Sequence, residues 1–135
     1  MININKDLEF GINNEIEILD LLKLKFGESI QKTKSKYSSF DFEGDKIKIE
    51  LKSRRNASDL YPTTMIGYRK ILAANNSDIH YYYVFKYTDK ILYCQYNEAD
   101  FKNFEVKRGG RSDRTRIETD NYIYIPISYL SELVI

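Results

Sequence analysis

Two carboxylates and a lysine lie close together in one short stretch of the chain: Asp41, Glu50 and Lys52. Carboxylate oxygens are hard ligands of the kind that Mg²⁺ prefers, and one or two of them suffice to anchor this ion beside a substrate phosphate. A bound divalent ion polarises a phosphoryl oxygen and lowers the pKa of a bound water. A nearby lysine can orient the nucleophile and offset charge in the transition state. These residue types predict metal-assisted hydrolysis of a phosphate ester.

The hairpin that must position these residues is predicted from alternating segments at 37–43 and 46–52, with Gly44-Asp45 as a two-residue loop. This loop would set Phe42 opposite Ile47 and Phe40 opposite Ile49. One face of the hairpin should then be apolar, since side chains alternate along a strand. Its members would be Phe40, Phe42, Ile47, Ile49 and Leu51.

The polar residues of the hairpin fall on the other face in this register. Asp41 would lie opposite Lys48 and diagonal to Glu50, within the roughly 7–8 Å that lets two side chains converge on one ion. A shifted loop would give the role of Asp41 to Glu43, which has the same parity. The competing interpretation is an ordinary solvated face of alternating charges. We favour Asp41 and a metal site.

A first helix is predicted over residues 7–26, with Gly27 as its stop. Its apolar stripe comprises Leu8, Ile12, Leu19, Leu22 and Phe26. Glu15 interrupts this stripe on the side expected to be buried, where a carboxylate needs a partner. Alternatively, Ile16 occupies the apolar position, and Glu15 lies at the edge of the stripe, where its carboxylate is exposed to solvent.

The motif resembles that of the PD-(D/E)xK phosphodiesterase superfamily, which includes restriction enzymes and Holliday-junction resolvases. Asp41 matches the first acid, although Phe40 stands where the family often has Pro, and Glu50-Leu51-Lys52 matches the second half. The segment from Gly11 to Glu15 looks like the Gly-x-x-x-Glu form of resolvase-like members. The resemblance covers roughly residues 8–75.

The resemblance implies a mixed α/β fold, a restriction endonuclease-like core with a central mixed sheet flanked by helices. It implies that Asp41 and Glu50 hold Mg²⁺, which Mn²⁺ can replace, with Leu51 among the metal ligands. Glu15 would bind a second ion or a metal water, and Lys52 would position the nucleophile. The implied substrate is duplex or branched DNA.

Three groups of cations are candidate contacts to DNA phosphates. Residues 107–116 contain five cations and one acid in a predicted exposed loop, two arginines follow the motif, and two cations lie on the next predicted helix. They are Lys107, Arg108, Arg111, Arg114 and Arg116; Arg54 and Arg55; and Arg69 and Lys70. Ordinary surface charge is the alternative for each group.

The remaining pattern predicts further elements along the chain. They are a helix over 64–75 capped by Thr63 or Thr64, strands over 79–87 and 90–96, a short helix around 97–104, a strand over 122–127 and a helical turn over 128–133.

Composition bounds the remaining possibilities. The 135 residues suit one domain, over 1–135, and a net charge of +1 excludes a globally basic nucleic-acid binder. One cysteine and one histidine, Cys94 and His80, exclude a His/Cys metal site. With neither a leader nor a membrane-length apolar run, we expect a location in the cytoplasm or the host cell's cytoplasm or nucleus, and no membrane partner.

The sequence thus predicts a Mg²⁺-dependent DNA endonuclease. One alternative is a homodimeric nuclease that resolves Holliday junctions or other branched DNA. Another, from a different class, is a catalytically inactive DNA-binding module with the same fold.

Overall fold

A computed structural model describes residues 14–108 and 121–134, with side chains from residue 18 onward. Within these ranges the strands are β1 (Gln31–Lys32), β2 (Phe42–Gly44), β3 (Ile47–Ser53), β4 (Thr63–Gly67), β5 (His80–Lys86), β6 (Ile91–Gln95), β7 (Glu105–Arg108), β8 (Asn121–Pro126) and β9 (Ser131–Glu132). The helices are α1 (Asn14–Phe26), α2 (Tyr68–Leu72), α3 (Glu98–Phe101) and a 3-10 turn (Ile127–Tyr129).

The central layer is a six-stranded sheet with the order β1-β2-β3-β5-β6-β9. Strands β3 and β5 are parallel, and the other neighbouring pairs are antiparallel. The sheet is therefore mixed, and the predicted mixed α/β fold class with a central mixed sheet is confirmed. The motif strand β3 lies inside this sheet, where both of its faces can be covered.

Helix α1 packs its apolar residues against one face of the central sheet. Ile18 and Leu22 are fully buried there with Phe42 and Ile49. Gly27, with φ +122°, follows the helix in a left-handed conformation that glycine adopts without steric cost. The predicted stop at Gly27 is confirmed, whereas residues 7–13 of the predicted helix lie outside the described part of the chain.

The second face of the central sheet packs against a three-stranded antiparallel sheet, β4-β8-β7, and helices α2 and α3. The predicted helix over 64–75 is wrong in its first part, because residues 63–67 form β4. Thr64 pairs with Ile125 and Ile66 with Ile123 of β8. This distant pairing outweighs the helical spacing of the local apolar residues. The predicted capping role of Thr63 and Thr64 is wrong for the same reason.

The hairpin of β2 and β3 forms, but its register differs from the prediction by two residues. Phe42 pairs with Ile49 and Gly44 with Ile47, so the loop is Asp45-Lys46. Lys46 adopts the left-handed conformation, with φ 59°. Because the shift is even, Lys48, Glu50 and Lys52 keep the predicted face.

Phe40 does not lie on the predicted apolar face with Phe42. Its ring is 5.2 Å from that of Tyr81, in the cluster on the opposite face of the sheet. The strand begins only at Phe42, and the chain bends at Asp41, which ends the alternation on which the prediction rested.

The predicted strands over 79–87, 90–96 and 122–127 agree to within one residue at each end, whereas the helix predicted around 97–104 ends three residues earlier, at Phe101. Strands β5, β6 and β8 and helix α3 occupy the expected places, and the Asn97 side chain caps α3 by accepting from the Asp100 N–H at 2.9 Å. Two differ: Lys107 and Arg108 lie in β7 rather than in a loop, and the predicted closing helical turn is the 3-10 turn followed by β9. Among the described residues, no helix is both long and apolar enough to cross a membrane.

Candidate active site

Glu50 is a buried carboxylate in the middle of β3. It is only 2% exposed, so the interpretation of this face as an ordinary solvated surface is wrong. Its Oε2 lies 3.2 Å from Lys52 Nζ and 3.5 Å from Lys70 Nζ. Its Oε1 is buried and finds no hydrogen-bond partner among the described residues. Such an atom is costly to bury unless a ligand compensates for the lost hydration.

The electrostatic surroundings of Glu50 oppose its ionisation overall. Burial is the largest effect and raises the pKa of Glu50 above its ordinary value of 4.5, and the charge of Asp41 raises it further. Lys52 and Lys70 lower it, but only in part. A positive ion beside Oε1 would favour the charged form.

Asp41 is bonded to the backbone on both sides of Glu50. Its N–H donates to the Ile49 carbonyl at 2.9 Å, and its Oδ2 accepts from the Leu51 N–H at 2.9 Å. The side chain is exposed, unlike that of Glu50. The backbone of β3 thus holds one carboxylate oxygen of Asp41 at Leu51, next to Glu50 in the strand. This places the charge of Asp41 near the carboxylate of Glu50.

Glu43 occupies a different place in the hairpin. It pairs with Lys48, one step nearer the hairpin loop than the Phe42–Ile49 pair, so the predicted pairing of Asp41 with Lys48 is wrong. Asp41, and not Glu43, is among the charges that shift the pKa of Glu50. The geometry therefore favours Asp41 over Glu43 as the first acid of the motif.

Lys70 reaches the site from α2, on the layer that covers β3. Its Nζ donates to the Ser39 carbonyl at 2.8 Å besides contacting Glu50. The helix is held against the sheet by Tyr83, whose hydroxyl donates to the Lys70 carbonyl at 2.8 Å. Tyr83 is the neighbour of Glu50 in the parallel pair of β3 and β5. Sequence reasoning assigned Lys70 to phosphate binding and had no local signal for this contact.

Asp41 and Glu50 suit a hard divalent cation, because the pair offers carboxylate oxygens and Glu50 Oε1 has no hydrogen-bond partner among the described side chains. Leu51 can contribute only its backbone carbonyl to a metal, since its N–H donates to Asp41 and its side chain packs on the opposite face. Within the described side chains no group of three or more His, Cys, Asp or Glu residues gathers as a metal site. The side chain of Glu15 lies outside that set.

The predicted phosphate-binding cations have different surroundings. Arg54 packs inward: its Nη2 donates to the Met65 carbonyl at 2.6 Å, and burial lowers the pKa of its guanidinium. Arg55, Arg69 and Arg108 are exposed. Lys107 lies over the Tyr124 ring, 4.7 Å from its centroid, and 3.8 Å from Glu105 Oε1. Arg111, Arg114 and Arg116 fall outside the described residues.

A basic segment directly before Asp41 escaped the sequence analysis. Lys32, Lys34 and Lys36 alternate with polar residues there. The signal in the sequence is a run of three lysines without an acid.

Comparison with known protein families identifies the family of the chain. A family model described as "phage putative PDDEXK endonuclease" matches residues 9–133, nearly the whole chain. The chain belongs to this family. The resemblance to the PD-(D/E)xK superfamily is thereby confirmed, and membership of this endonuclease family indicates a nuclease. No curated protein matches the chain significantly.

Proposed function

We propose that the chain is a Mg²⁺-dependent endonuclease that hydrolyses DNA phosphodiester bonds. The proposal rests on Oε1 of Glu50, which is buried and has no hydrogen-bond partner within the described part of the chain, near the backbone-held carboxylate of Asp41. Membership of the phage endonuclease family supports the same reaction class. Mn²⁺ has similar ligand preferences and should substitute.

Asp41 and Glu50 would hold the ion, with the Leu51 carbonyl and Glu15 as further candidate ligands. Mg²⁺ would supply Lewis-acid activation of the phosphate and of the attacking water. The protein's own contribution is to fix the two carboxylates before substrate arrives, which avoids reorganisation during the reaction. The backbone bonds of Asp41 and the burial of Glu50 provide that fixation.

Lys52 is the proposed nucleophile-positioning residue. Its Nζ lies 3.2 Å from Glu50 Oε2, and its side chain is 34% exposed, so it borders both the metal-binding acid and solvent. A cation there can orient a water and offset negative charge that grows on the phosphate. Lys70, at 3.5 Å from the same oxygen, supports the charge of Glu50 from the opposite layer.

Supercoiled plasmid provides the test, because nicking of a closed circle reports endonucleolytic action directly. We expect nicked or linear product with Mg²⁺ or Mn²⁺ and none with EDTA. Asp41→Asn, Glu50→Gln and Lys52→Ala should each lower the rate about 100-fold or more, the scale on which loss of one electrostatic group acts. Glu43→Gln is the matched control and should cleave like the wild type. Equal cleavage by the Glu50→Gln and wild-type proteins would overturn the proposal.

A panel of duplex, single-stranded and four-way-junction DNA separates the remaining alternatives. Preferential cutting of junctions by a dimer would replace the general endonuclease with the resolvase. Metal-independent binding without cleavage of any substrate would favour the inactive DNA-binding module.

A further inference from the structure

The loop that leads into Asp41 is positively charged, and its side chains have no role in the site described so far. Residues 29–40 contain three lysines and no acid, whereas the whole chain has a net charge of only +1. The loop itself, residues 33–39, connects β1 to the bend before β2, at one edge of the central sheet. Its position in the chain brings this positive charge next to the first acid of the motif.

Both ends of loop 33–39 are fastened to active-site residues. At the start, the Thr33 N–H donates to the Asp41 carbonyl at 2.9 Å. At the end, the Ser39 carbonyl accepts from Lys70 Nζ at 2.8 Å, and the next residue, Phe40, is buried against Tyr81. Whatever the loop binds is therefore held close to Asp41 and Lys70.

The tip of the loop is an ordered turn that presents an aromatic ring to solvent. The Ser38 N–H donates to the Ser35 carbonyl at 3.2 Å, and the Tyr37 N–H donates to Ser35 Oγ at 3.2 Å. Tyr37 is 85% exposed, more than Tyr61 at 61%. Lys36 Nζ lies 5.3 Å from the centroid of the Tyr37 ring. Within the described part of the chain, Tyr37 belongs to neither hydrophobic cluster.

We propose that loop 33–39 is a DNA-gripping surface: Lys34 and Lys36 contact backbone phosphates, and Tyr37 stacks on an unpaired base near the scissile phosphate. The inference rests on the proposed nuclease function and specifies the substrate that the enzyme prefers, DNA with at least one unpaired base beside the cut. Lysines bind phosphates without reading sequence. An aromatic face binds any base that is free to stack.

The unpaired base follows from the chemistry of stacking. In a continuous duplex both faces of each base are covered by its neighbours, and extruding one base costs a few kcal/mol, less where pairing is already absent. A ring at the tip of a short loop meets a bare base face in single strands, gaps and flaps. The neighbouring lysines meet phosphates in either kind of DNA.

The lysine contacts are tested by the salt dependence of binding, measured by fluorescence anisotropy in EDTA so that no cleavage occurs. The ligand is a labelled single-stranded oligonucleotide. Each lost phosphate contact reduces the slope of log K against log salt by about 0.7, so Lys34→Gln/Lys36→Gln should reduce it by about 1.4. Lys90→Gln/Lys102→Gln removes the same charge from exposed positions elsewhere in the described residues and should leave the slope unchanged. Equal slopes for wild type and the loop variant would overturn the lysine contacts.

The stacking contact is tested with Tyr37→Ala, Tyr37→Phe and the control Tyr61→Ala. On single-stranded and gapped DNA, Tyr37→Ala should weaken binding about five- to one-hundred-fold, the range typical of one base–aromatic stack. Tyr37→Phe, which keeps the ring, and Tyr61→Ala should bind like the wild type. Blunt duplex should show little effect of Tyr37→Ala. An effect of equal size on duplex, or no effect on either ligand, would overturn the unpaired-base assignment.

Because binding is measured without metal, this proposal and the nuclease proposal fail separately. Cleavage that is unaffected by the loop variants, together with unchanged slopes, would refute the loop alone. Loop-dependent binding with no cleavage in any metal would refute the nuclease function and leave the DNA-gripping loop standing.

Discussion

The Leu51 N–H donates to Oδ2 of Asp41 across 2.9 Å. This bond joins the first acid of the motif to the backbone of the strand that carries the second half. Asp41 lies outside regular strand structure, at a bend, so its side chain would otherwise have several directions available. The bond fixes one carboxylate oxygen and leaves the charge of the group near Glu50, whose pKa it raises.

Replacing Asp41 separates its structural role from its chemical one. Asp41→Asn keeps an oxygen that can accept from the Leu51 N–H, so its unfolding free energy should stay near that of the wild type while cleavage is lost. Asp41→Ala removes the acceptor and should also lower the unfolding free energy by about 1–2 kcal/mol. Urea unfolding and plasmid nicking measure the two effects. Wild-type cleavage by Asp41→Asn would contradict the metal-binding role.

The burial of Glu50 gives stability a pH dependence in metal-free protein. The pKa of Glu50 is higher in the folded state than its value of 4.5 in the unfolded chain, so the folded state binds this proton more tightly. The resulting contribution to the free energy of unfolding is fully present below pH 4.5. It is lost as pH rises through the folded pKa. In EDTA at pH 8, Glu50→Gln should therefore have a higher Tm than the wild type, and the difference should shrink towards pH 4.5.

Two further melting curves give this prediction its controls. Glu43→Gln, in the same hairpin but paired with Lys48, should show no comparable gain at pH 8. Mg²⁺ should raise the Tm of the wild type but not that of Glu50→Gln, because a ligand that binds only the folded state stabilises it. A lower Tm for Glu50→Gln than for the wild type at pH 8 in EDTA would mean that the lysine contacts outweigh the cost of burial.

Lys70 should act on the reaction through Glu50. Its charge lowers the pKa of Glu50, so Lys70→Met should raise that pKa and move the acid side of the pH–rate profile to higher pH. Lys102→Met, an exposed lysine after α3, serves as the control. A uniform loss of rate at every pH, with no displacement of the profile, would assign Lys70 a purely structural role.

Arg54 is expected to stabilise the fold rather than bind DNA. Its guanidinium bonds the Met65 carbonyl and lies 5.9 Å from the centroid of the Phe85 ring. Arg54→Ala should lower the unfolding free energy by about 1–2 kcal/mol, because it removes the packing of the arginine side chain and its hydrogen bond to the Met65 carbonyl. The salt slope of DNA binding should not change. Arg55→Ala, at the exposed neighbouring position, should have little effect on stability. If Arg54→Ala instead keeps the stability of the wild type and lowers the salt slope, Arg54 binds phosphate after all.

The face that carries Glu50 and Lys52 could be predicted because strand alternation survives any even shift of register. The register itself could not, because the pair Gly44-Asp45 is typical of a two-residue hairpin loop. In the structure Gly44 ends β2, where an added Cβ would lie 2.8 Å from Ile30 Cδ1. The glycine is needed there for space rather than for its backbone angles. The residue of the loop that adopts the left-handed conformation is Lys46 instead.

Non-local contacts account for the other differences. Thr64 and Ile66 have helical neighbours in sequence but pair with β8, some sixty residues later. The same distance hid the role of Lys70, which meets Glu50 only because α2 packs over β3. The surroundings of Glu50 likewise include Lys70 of α2 and Tyr83 of β5, which lie 20 or more residues further along the chain.

Mn²⁺ binding, followed by the paramagnetic resonance signal of the free ion, tests the central claim that Asp41 and Glu50 together hold a divalent metal. The wild type should bind Mn²⁺ saturably. Asp41→Asn and Glu50→Gln should each weaken binding at least about tenfold, while Glu43→Gln should bind like the wild type. Equal Mn²⁺ affinity in the wild type and Glu50→Gln would contradict the account.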